Sequence, residues 1–348
     1  MISRVQRPDE KLAELVKPSI ELTHEILLRH DDILVVCAGF EPRSLEVLRR
    51  TKSLSLDDGK ILIIDYRPEN ENNRYREVVA LSKSVSNRLE SIIYARETPQ
   101  GFADTFLQRI QESTGRLFID ISSMSRFLIV QLVVGLKLRP EGYKNVCLMY
   151  TEAATYPPTK EDAEEALETR RSNPSNSMML ISSGVLDICV VPELSSTYMQ
   201  GQPTRLITFP SFNIDQLTAL ISFVQPPFTT CIHGIPPDPA LSWRPEIIKA
   251  LNHIESYNSR EEFNASTIDY RETLEILLEI YRLHGDIEKI IVSPIGSKMQ
   301  AVAVGLFRAF LNDVQIVYPA ANQFATPSDY TDGARQVYKL ELGKFNEV

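Results

Sequence analysis

The 348-residue sequence lacks any apolar run long enough to cross a bilayer, which takes roughly 18 uncharged residues. Its start, MISRVQRPDEKLAELVK, contains no apolar signal core, so we expect a cytoplasmic protein with no membrane contact. Basic residues are outnumbered, since 37 Lys and Arg stand against 46 Asp and Glu and the formal net charge is -9. That balance argues against general nucleic-acid binding, so any bound anion must be held by a small local site.

Two common cofactor signatures are missing as well. Four cysteines lie far apart in apolar runs without CxxC or Cys/His ligand spacing, and we expect reduced core thiols at Cys37, Cys147, Cys189 and Cys231. The turn after the first predicted strand reads CAGFEPRS and has no GxGxxG glycines. Without those glycines the backbone cannot cradle a dinucleotide pyrophosphate in the usual way, which argues against NAD- or FAD-dependent redox chemistry.

Short apolar runs alternate with helix-like segments through the first half of the chain. Five runs read as strands, at residues 32–39, 60–68, 91–95, 116–122 and 145–151. Helical patterns such as RYREVVALSKSV, GFADTFLQRIQ and RFLIVQLVVGLKL separate them. Strands that are continuously apolar are usually covered on both faces. The pattern therefore predicts a Rossmann-like α/β domain built on a parallel sheet.

The second half repeats the first in a steady register. Asp65 falls on His233 (233 − 65 = 168), and Phe40 falls on Phe212 (212 − 40 = 172). Matched pairs support the repeat: Tyr75-Arg76 with Trp243-Arg244, and Ser125-Arg126 with Ser297-Lys298. The alternative is that two unrelated Rossmann-like units share apolar spacing. We favour two tandem Rossmann-like parallel-sheet halves related by internal duplication.

The repeat predicts four segments. Residues 1–30 form an N-terminal helical segment, and residues 31–152 form the first Rossmann-like domain. Residues 153–202 form a linker with the acidic helix TKEDAEEALETRR and two strands, MMLISS and LDICVVPEL. Residues 203–348 form the second domain, including a C-terminal strand.

Polar residues follow the predicted strands, at the sheet edge where α/β proteins bind ligands. The loop SSMSR leads into a helix, whose free N–H groups and dipole favour an anion, with hydroxyls and a guanidinium as further donors. The candidate ligand-binding residues are Glu41, Arg43, Asp65, Arg67, Asp120, Ser122, Ser123, Ser125 and Arg126, then His233, Ser293, Gly296, Ser297 and Lys298. Simpler roles stay open: serine helix caps, an arginine in solvent, and a surface ion pair of Asp65 with Arg67 or Arg43.

These loops resemble the ligand-contacting motif of CARF domains, the Rossmann-like sensors of cyclic oligonucleotides in prokaryotic defence systems. The motif positions hold Asp120, Ser122, Ser125 and Arg126 in the first half, and Gly296, Ser297, Lys298 and Met299 in the second. Ser123-Met124 and Ile295-Gly296 replace the double glycine of the motif, and Val292 replaces its acidic residue in the second half. The resemblance implies a sensor of a nucleotide or cyclic oligonucleotide, with paired units forming one ligand site and an effector protein in a separate chain.

Three functions therefore remain. The first is a nucleotide-sensing regulatory module of an anti-phage defence system, and the second is a nucleotide-processing enzyme, such as a phosphodiesterase, ring nuclease or glycosidic-bond hydrolase. In such an enzyme His233 would act as general base with Ser297 or Lys298. The third is a non-catalytic scaffold subunit. No cofactor is expected, although Glu41, Asp65 and Asp120 leave Mg²⁺ as an alternative; homo-oligomerisation stays open.

Overall fold

The computed structural model describes residues 7–68, 72–111, 113–173, 180–252, 260–324 and 331–346. The strands are β1 Glu21–Leu22, β2 Ile26–Leu28, β3 Ile33–Ala38, β4 Thr51–Ser53, β5 Lys60–Arg67, β6 Leu89–Ala95, β7 Leu117–Asp120, β8 Val146–Thr151, β9 Ser182–Cys189, β10 Thr204–Thr208, β11 Phe228–Ile235, β12 Arg260–Ser266, β13 Lys289–Ser293, β14 Gln315–Ile316, β15 Tyr318–Phe324 and β16 Val337–Glu341. The helices are α1 Pro8–Glu14, α2 Glu46–Arg49, α3 Tyr75–Val85, α4 Phe102–Ile110, α5 Arg126–Lys137, α6 Lys160–Ser172, α7 Ile214–Val224, α8 Arg244–Leu251, α9 Tyr270–His284 and α10 Lys298–Phe310.

The first large sheet has seven strands in the order β1-β16-β8-β7-β3-β5-β6. Its five strands from β8 to β6 are parallel, whereas β16 runs antiparallel to β8 and β1 antiparallel to β16. Every residue of β3 and β8 is buried, as a sheet covered on both faces requires. The predicted Rossmann-like α/β fold is confirmed.

The second large sheet has five parallel strands in the order β12-β11-β10-β13-β14. Numbered from its first strand, this order is 3-2-1-4-5, the same as that of the five parallel strands of the first sheet. The strand pairing also agrees, because Ile33 lies opposite Lys60 in the first sheet and Arg205 opposite Phe228 in the second. These positions differ by 205 − 33 = 172 and 228 − 60 = 168. Duplication of the chain stays a prediction, with order and register in its favour.

The chain clusters into two compact units that do not follow the sequence order. One unit comprises Met1–Leu15, Arg126–Val134 and Pro157–Ala325, and the other comprises Val16–Ser125, Gly135–Tyr156 and Thr326–Val348. The predicted domain boundaries at 30, 152 and 202 stay a prediction. One assignment within them differs from the structure: the C-terminal strand, expected in the second domain, is β16 of the first sheet.

Two smaller features complete the architecture. Strand β9 pairs with β15 in a two-stranded antiparallel sheet, and β2 pairs with β4 in parallel. The predicted strand MMLISS begins at residues 178 and 179, which lie outside the described residues, and β9 begins at Ser182. Across the part of the chain that the structure describes, no helix has the length and apolar character needed to span a bilayer.

Candidate functional site

Both parallel sheets change winding direction at their first strand. Strand β3 lies between β5 and β7, and β10 lies between β11 and β13. Ligands of open α/β sheets bind outside the carboxyl ends of the strands at such a switch point. The candidate residues of the first half lie in the last residues of β5 and β7 or follow β3 and β7, and those of the second half lie near the ends of β11 and β13 or follow β13.

The loops that flank each switch point are in close contact. In the first sheet the Ser123 hydroxyl donates to the carbonyl of Cys37 at 2.8 Å, and a Cβ placed on Gly39 would lie 2.6 Å from the Ser123 Cβ. In the second sheet a Cβ on Gly296 would lie 2.8 Å from the Cβ of Phe209. Glycine is therefore required at both positions for the loops to approach.

A buried ion pair occupies the loop after β3. Arg43 and Glu41 are 4% and 6% exposed, and Arg43 Nε donates to Glu41 Oε2 at 2.8 Å. The guanidinium also donates to the Thr151 carbonyl at 3.1 Å. Burial acts to lower the pKa of Arg43, but the Glu41 carboxylate and the hydroxyls of Tyr150 and Tyr156 together outweigh it and raise that pKa above its ordinary value. The two charges thus neutralise each other, so no bound ligand is needed to account for the burial of Glu41 or Arg43.

The other acids of the first half also have partners within the protein. Asp65 pairs with Arg67 at 2.8 Å, the ion pair left open by the sequence, while Asp65 Oδ1 has no hydrogen-bond partner in the described residues. Asp120 accepts hydrogen bonds from the backbone N–H and hydroxyl of Ser122. The Ser122 hydroxyl in turn accepts from the Thr151 N–H at 2.8 Å. Ser122 is therefore a structural bridge between the ends of β7 and β8.

A tyrosine occupies the place where the SSMSR loop turns into its helix. The Ser125 N–H donates to the Tyr66 hydroxyl at 2.6 Å. Burial raises the pKa of Tyr66 well above its ordinary value, so the phenol stays neutral. Its ring packs edge-on against Tyr94, with centroids 5.2 Å apart. The loop's last N–H group is thus satisfied by the protein itself.

Arg126 is directed to the second-half loop that ends at α10. Its Nε donates to the Gly296 carbonyl at 2.5 Å, and the side chain is half-buried. No carboxylate pairs with Arg126 within the described ranges. Lys298 is the first residue of α10, so a second cationic side chain begins at the same helix terminus. Arg126, Gly296, Ser297 and Lys298 are therefore brought together.

A capping box closes the N-terminus of α10. The Ser297 hydroxyl accepts from the Gln300 N–H at 3.1 Å, and the Gln300 side-chain carbonyl accepts from the Ser297 N–H at 2.8 Å. The Ser297 hydroxyl also donates to the Thr267 carbonyl at 2.7 Å. Ser297 is therefore the helix cap that the simpler alternative proposed. The first-turn N–H groups of α10 that the box does not use keep the positive end of the helix dipole near Arg126.

The His233 side chain lies on the face of β11 opposite to the one that contacts Gln300. The histidine is 4% exposed, and neither ring nitrogen has a hydrogen-bond partner among the residues described. Burial lowers its pKa, with Glu262 opposing and Arg260 adding to the effect. Adjacent residues of a strand point to opposite faces, and Gly234 is the residue beside Gln300. The His233 side chain therefore points to the face of β11 opposite Gln300; a general-base role with Ser297 or Lys298 stays a prediction, and this direction disfavours it.

Two hydroxyls share the face of His233. Thr208 and Ser293 are fully buried Cα partners in neighbouring strands, and their hydroxyls have no hydrogen-bond partner in the described part of the chain.

The Mg²⁺ alternative has no matching geometry, because no three His, Cys, Asp or Glu side chains of the described residues come close enough to hold a metal ion.

Sequence reasoning missed Tyr66, Gly234 and Gln300. The repeat register could have revealed them, because Tyr66 matches Gly234 (234 − 66 = 168) and Leu128 matches Gln300 (300 − 128 = 172). The large Tyr66 of the first half is replaced by Gly234 in the second, and the apolar Leu128 is replaced by the polar Gln300.

No protein-family model matches the chain, and no curated protein matches it. A solved structure of a Type III CRISPR defence DNA nuclease activated by cyclic oligoadenylate is similar over 86% of this chain and 69% of its own. The identity is 12% and the TM-score is 0.46. Values this low allow no inference from that nuclease to the activity of this chain.

Proposed function

We propose that this protein is a regulatory module that binds a nucleotide through its phosphate at the N-terminus of α10. One observation carries the proposal: the half-buried Arg126 guanidinium is held on the Gly296 carbonyl without a carboxylate partner in the described residues. Ordering a cation beside a helix N-terminus costs free energy, because the dipole repels it. A bound anion between them would offset that cost.

The donor set suits a phosphate. A guanidinium offers two parallel N–H donors to an oxyanion, and helix N-termini bind phosphates through free N–H groups. Lys298 adds a flexible charge at the same end. Because the net charge is -9, this local group can favour an anion that the rest of the surface repels.

The ligand class follows from the resemblance of these loops to the CARF motif. It points to a nucleotide or cyclic oligonucleotide, to a role in prokaryotic defence, and to an effector protein in a separate chain that reads the ligand state. Binding is favoured over turnover because His233, the candidate general base, faces away from the anion site. A nucleotide held without cleavage is what a sensor requires.

The test uses thermal unfolding and calorimetry with AMP, ATP, cyclic di-adenylate and cyclic tetra-adenylate. Arg126→Ala with Lys298→Ala should abolish the ligand-induced rise in Tm and weaken binding by about 100-fold, since two charge-assisted hydrogen bonds contribute about 3 kcal/mol. Lys160→Ala with Arg171→Ala, on exposed positions of α6, is the control with the same change in charge.

Three outcomes contradict the proposal. The double variant could respond to ligand as the wild type does, or no panel member could bind while no nucleotide copurifies by mass spectrometry. The third outcome is steady conversion of a panel nucleotide to product by the wild type, which would favour the enzyme instead.

A further inference from the structure

The buried side chain of Gln300 makes a hydrogen bond through its carbonyl oxygen but none through its Nε2 within the described residues. It is 1% exposed, and its Oε1 accepts from the Ser297 N–H at 2.8 Å. Its Nε2 has no hydrogen-bond partner in the described residues. Leaving a buried amide N–H unpaired is destabilising, because the group loses its hydrogen bonds to water. The capping box fixes which end is which, because only the carbonyl oxygen can accept from Ser297.

Two glycines lie beside this carboxamide, together with the Thr267 side chain. A Cβ built on Gly234 would lie 2.8 Å from Thr267 Cγ2, 3.5 Å from Gln300 Oε1 and 3.7 Å from Nε2, and one on Gly296 would overlap Oε1. Gly234 and Gly296 are both partly exposed, whereas the amide is buried. A donor at this depth can reach a ligand only where the neighbouring backbone carries no side chain.

In the first half, larger or apolar side chains stand at the positions that correspond to Gly234 and Gln300. Tyr66 stands where the second half has Gly234, and Leu128 stands where it has Gln300, by the same offsets of 168 and 172. The Tyr66 hydroxyl accepts from the Ser125 N–H, the position equivalent to Ser297. The phenol therefore performs in the first half the acceptor role of the Gln300 carbonyl.

We propose that Gln300 Nε2 is a ligand donor to a phosphate oxygen, and that the second half carries the working anion site while Tyr66 closes its counterpart. This inference rests on the proposed function and names a further specificity-determining residue for it. An amide N–H pairs only with an acceptor, so it favours an oxyanion and disfavours a cationic or donor group. The first half holds more of the candidate residues, but its acids Glu41 and Asp65 are paired with Arg43 and Arg67.

The decisive variant is Gln300→Glu. Glutamate keeps the capping box, because Glu and Gln serve equally at the third helical position. It replaces the unpaired donor with a negatively charged acceptor. The probe is inorganic pyrophosphate at about pH 7.5 with ionic strength matched by NaCl, followed by calorimetry and thermal unfolding.

We expect Gln300→Glu to lower the ligand-free Tm, because it buries a carboxylate without a counter-ion, and cooperative unfolding shows that the variant is folded. Its affinity for pyrophosphate should fall at least tenfold. The control, Gln202→Glu, makes the same chemical change at an exposed position before β10 and should bind as the wild type does. Gln300→Leu, which copies Leu128 of the first half, is the second variant and should also weaken binding.

The outcomes separate this inference from the proposed function. If Arg126→Ala loses nucleotide binding while both Gln300 variants keep it, the inference fails and the function stands. If no nucleotide binds but pyrophosphate does, and Gln300→Glu abolishes it, the function fails and the donor role stands. Absence of pyrophosphate binding to the wild type overturns the inference.

Discussion

Removal of Arg43 should destabilise the protein strongly, because it leaves a carboxylate buried without its counter-ion. Arg43 Nε and Nη2 lie 2.8 and 2.7 Å from Glu41 Oε2, and the guanidinium also donates to the Thr151 carbonyl at 3.1 Å. The Thr331 hydroxyl also donates to Glu41. In Arg43→Met the hydroxyl remains as a neutral partner, which cannot balance the charge.

The magnitude follows from the burial of both side chains. Breaking a buried ion pair from one side costs about 3–5 kcal/mol, whereas replacing both partners with neutral groups costs much less. We therefore expect about 3 kcal/mol or more for Arg43→Met, and about 1 kcal/mol for Arg43→Met combined with Glu41→Gln. Glu41→Gln alone should also cost about 3 kcal/mol, so the coupling energy of the two positions, 1 − 3 − 3, is about −5 kcal/mol.

Urea unfolding followed by circular dichroism at about pH 7 measures all four proteins of this cycle. Both proteins that carry Arg43→Met should also keep the ligand response of the wild type, since the pair serves the fold and not the ligand. A loss below about 1 kcal/mol for Arg43→Met, or a coupling near zero, would refute the reasoning, because surface pairs behave in that way.

Two further perturbations test the same account. Tyr66→Phe keeps the ring packed on Tyr94 but leaves the Ser125 N–H unpaired, so urea unfolding should show a loss of about 1–2 kcal/mol; an unchanged midpoint would mean that this N–H has another partner. Burial lowers the pKa of His233, so below the unfolded value near 6.5 the unfolded chain binds a proton that the folded chain resists, and stability falls as pH falls. His233→Gln should flatten this loss between about pH 7 and 5 in urea titrations, and an equally steep slope would contradict it.

The local pattern predicted the parallel strands well because each is a short apolar run covered on both faces. Residues 60–68 and 145–151 became β5 and β8 with ends shifted by one residue. Strand β16 was placed in the wrong sheet for a physical reason. Its pairing with β8 joins residues about 190 positions apart, and periodicity carries no information on such pairing.

The candidate site was predictable in part. The strand-end position of Arg126 and Lys298 followed from the motif, and the structure brings Arg126 to the start of α10. Which charges neutralise each other depends on side-chain directions, so the Glu41–Arg43 pair could not be separated from a ligand site by spacing alone. The unpaired amide of Gln300 is visible only once the capping box is known.

The order of the strands also has a consequence for synthesis of the chain on the ribosome. The first sheet takes β1 from residues 21–22 and β16 from residues 337–341, and β16 lies between β1 and β8. Most of the five-stranded unit is therefore translated before the seven-stranded sheet can be completed. Until residue 341 emerges, β8 presents an unpaired edge, which is a target for aggregation or chaperone binding. Release of a shortened chain would leave a nascent protein with one finished sheet and one open one.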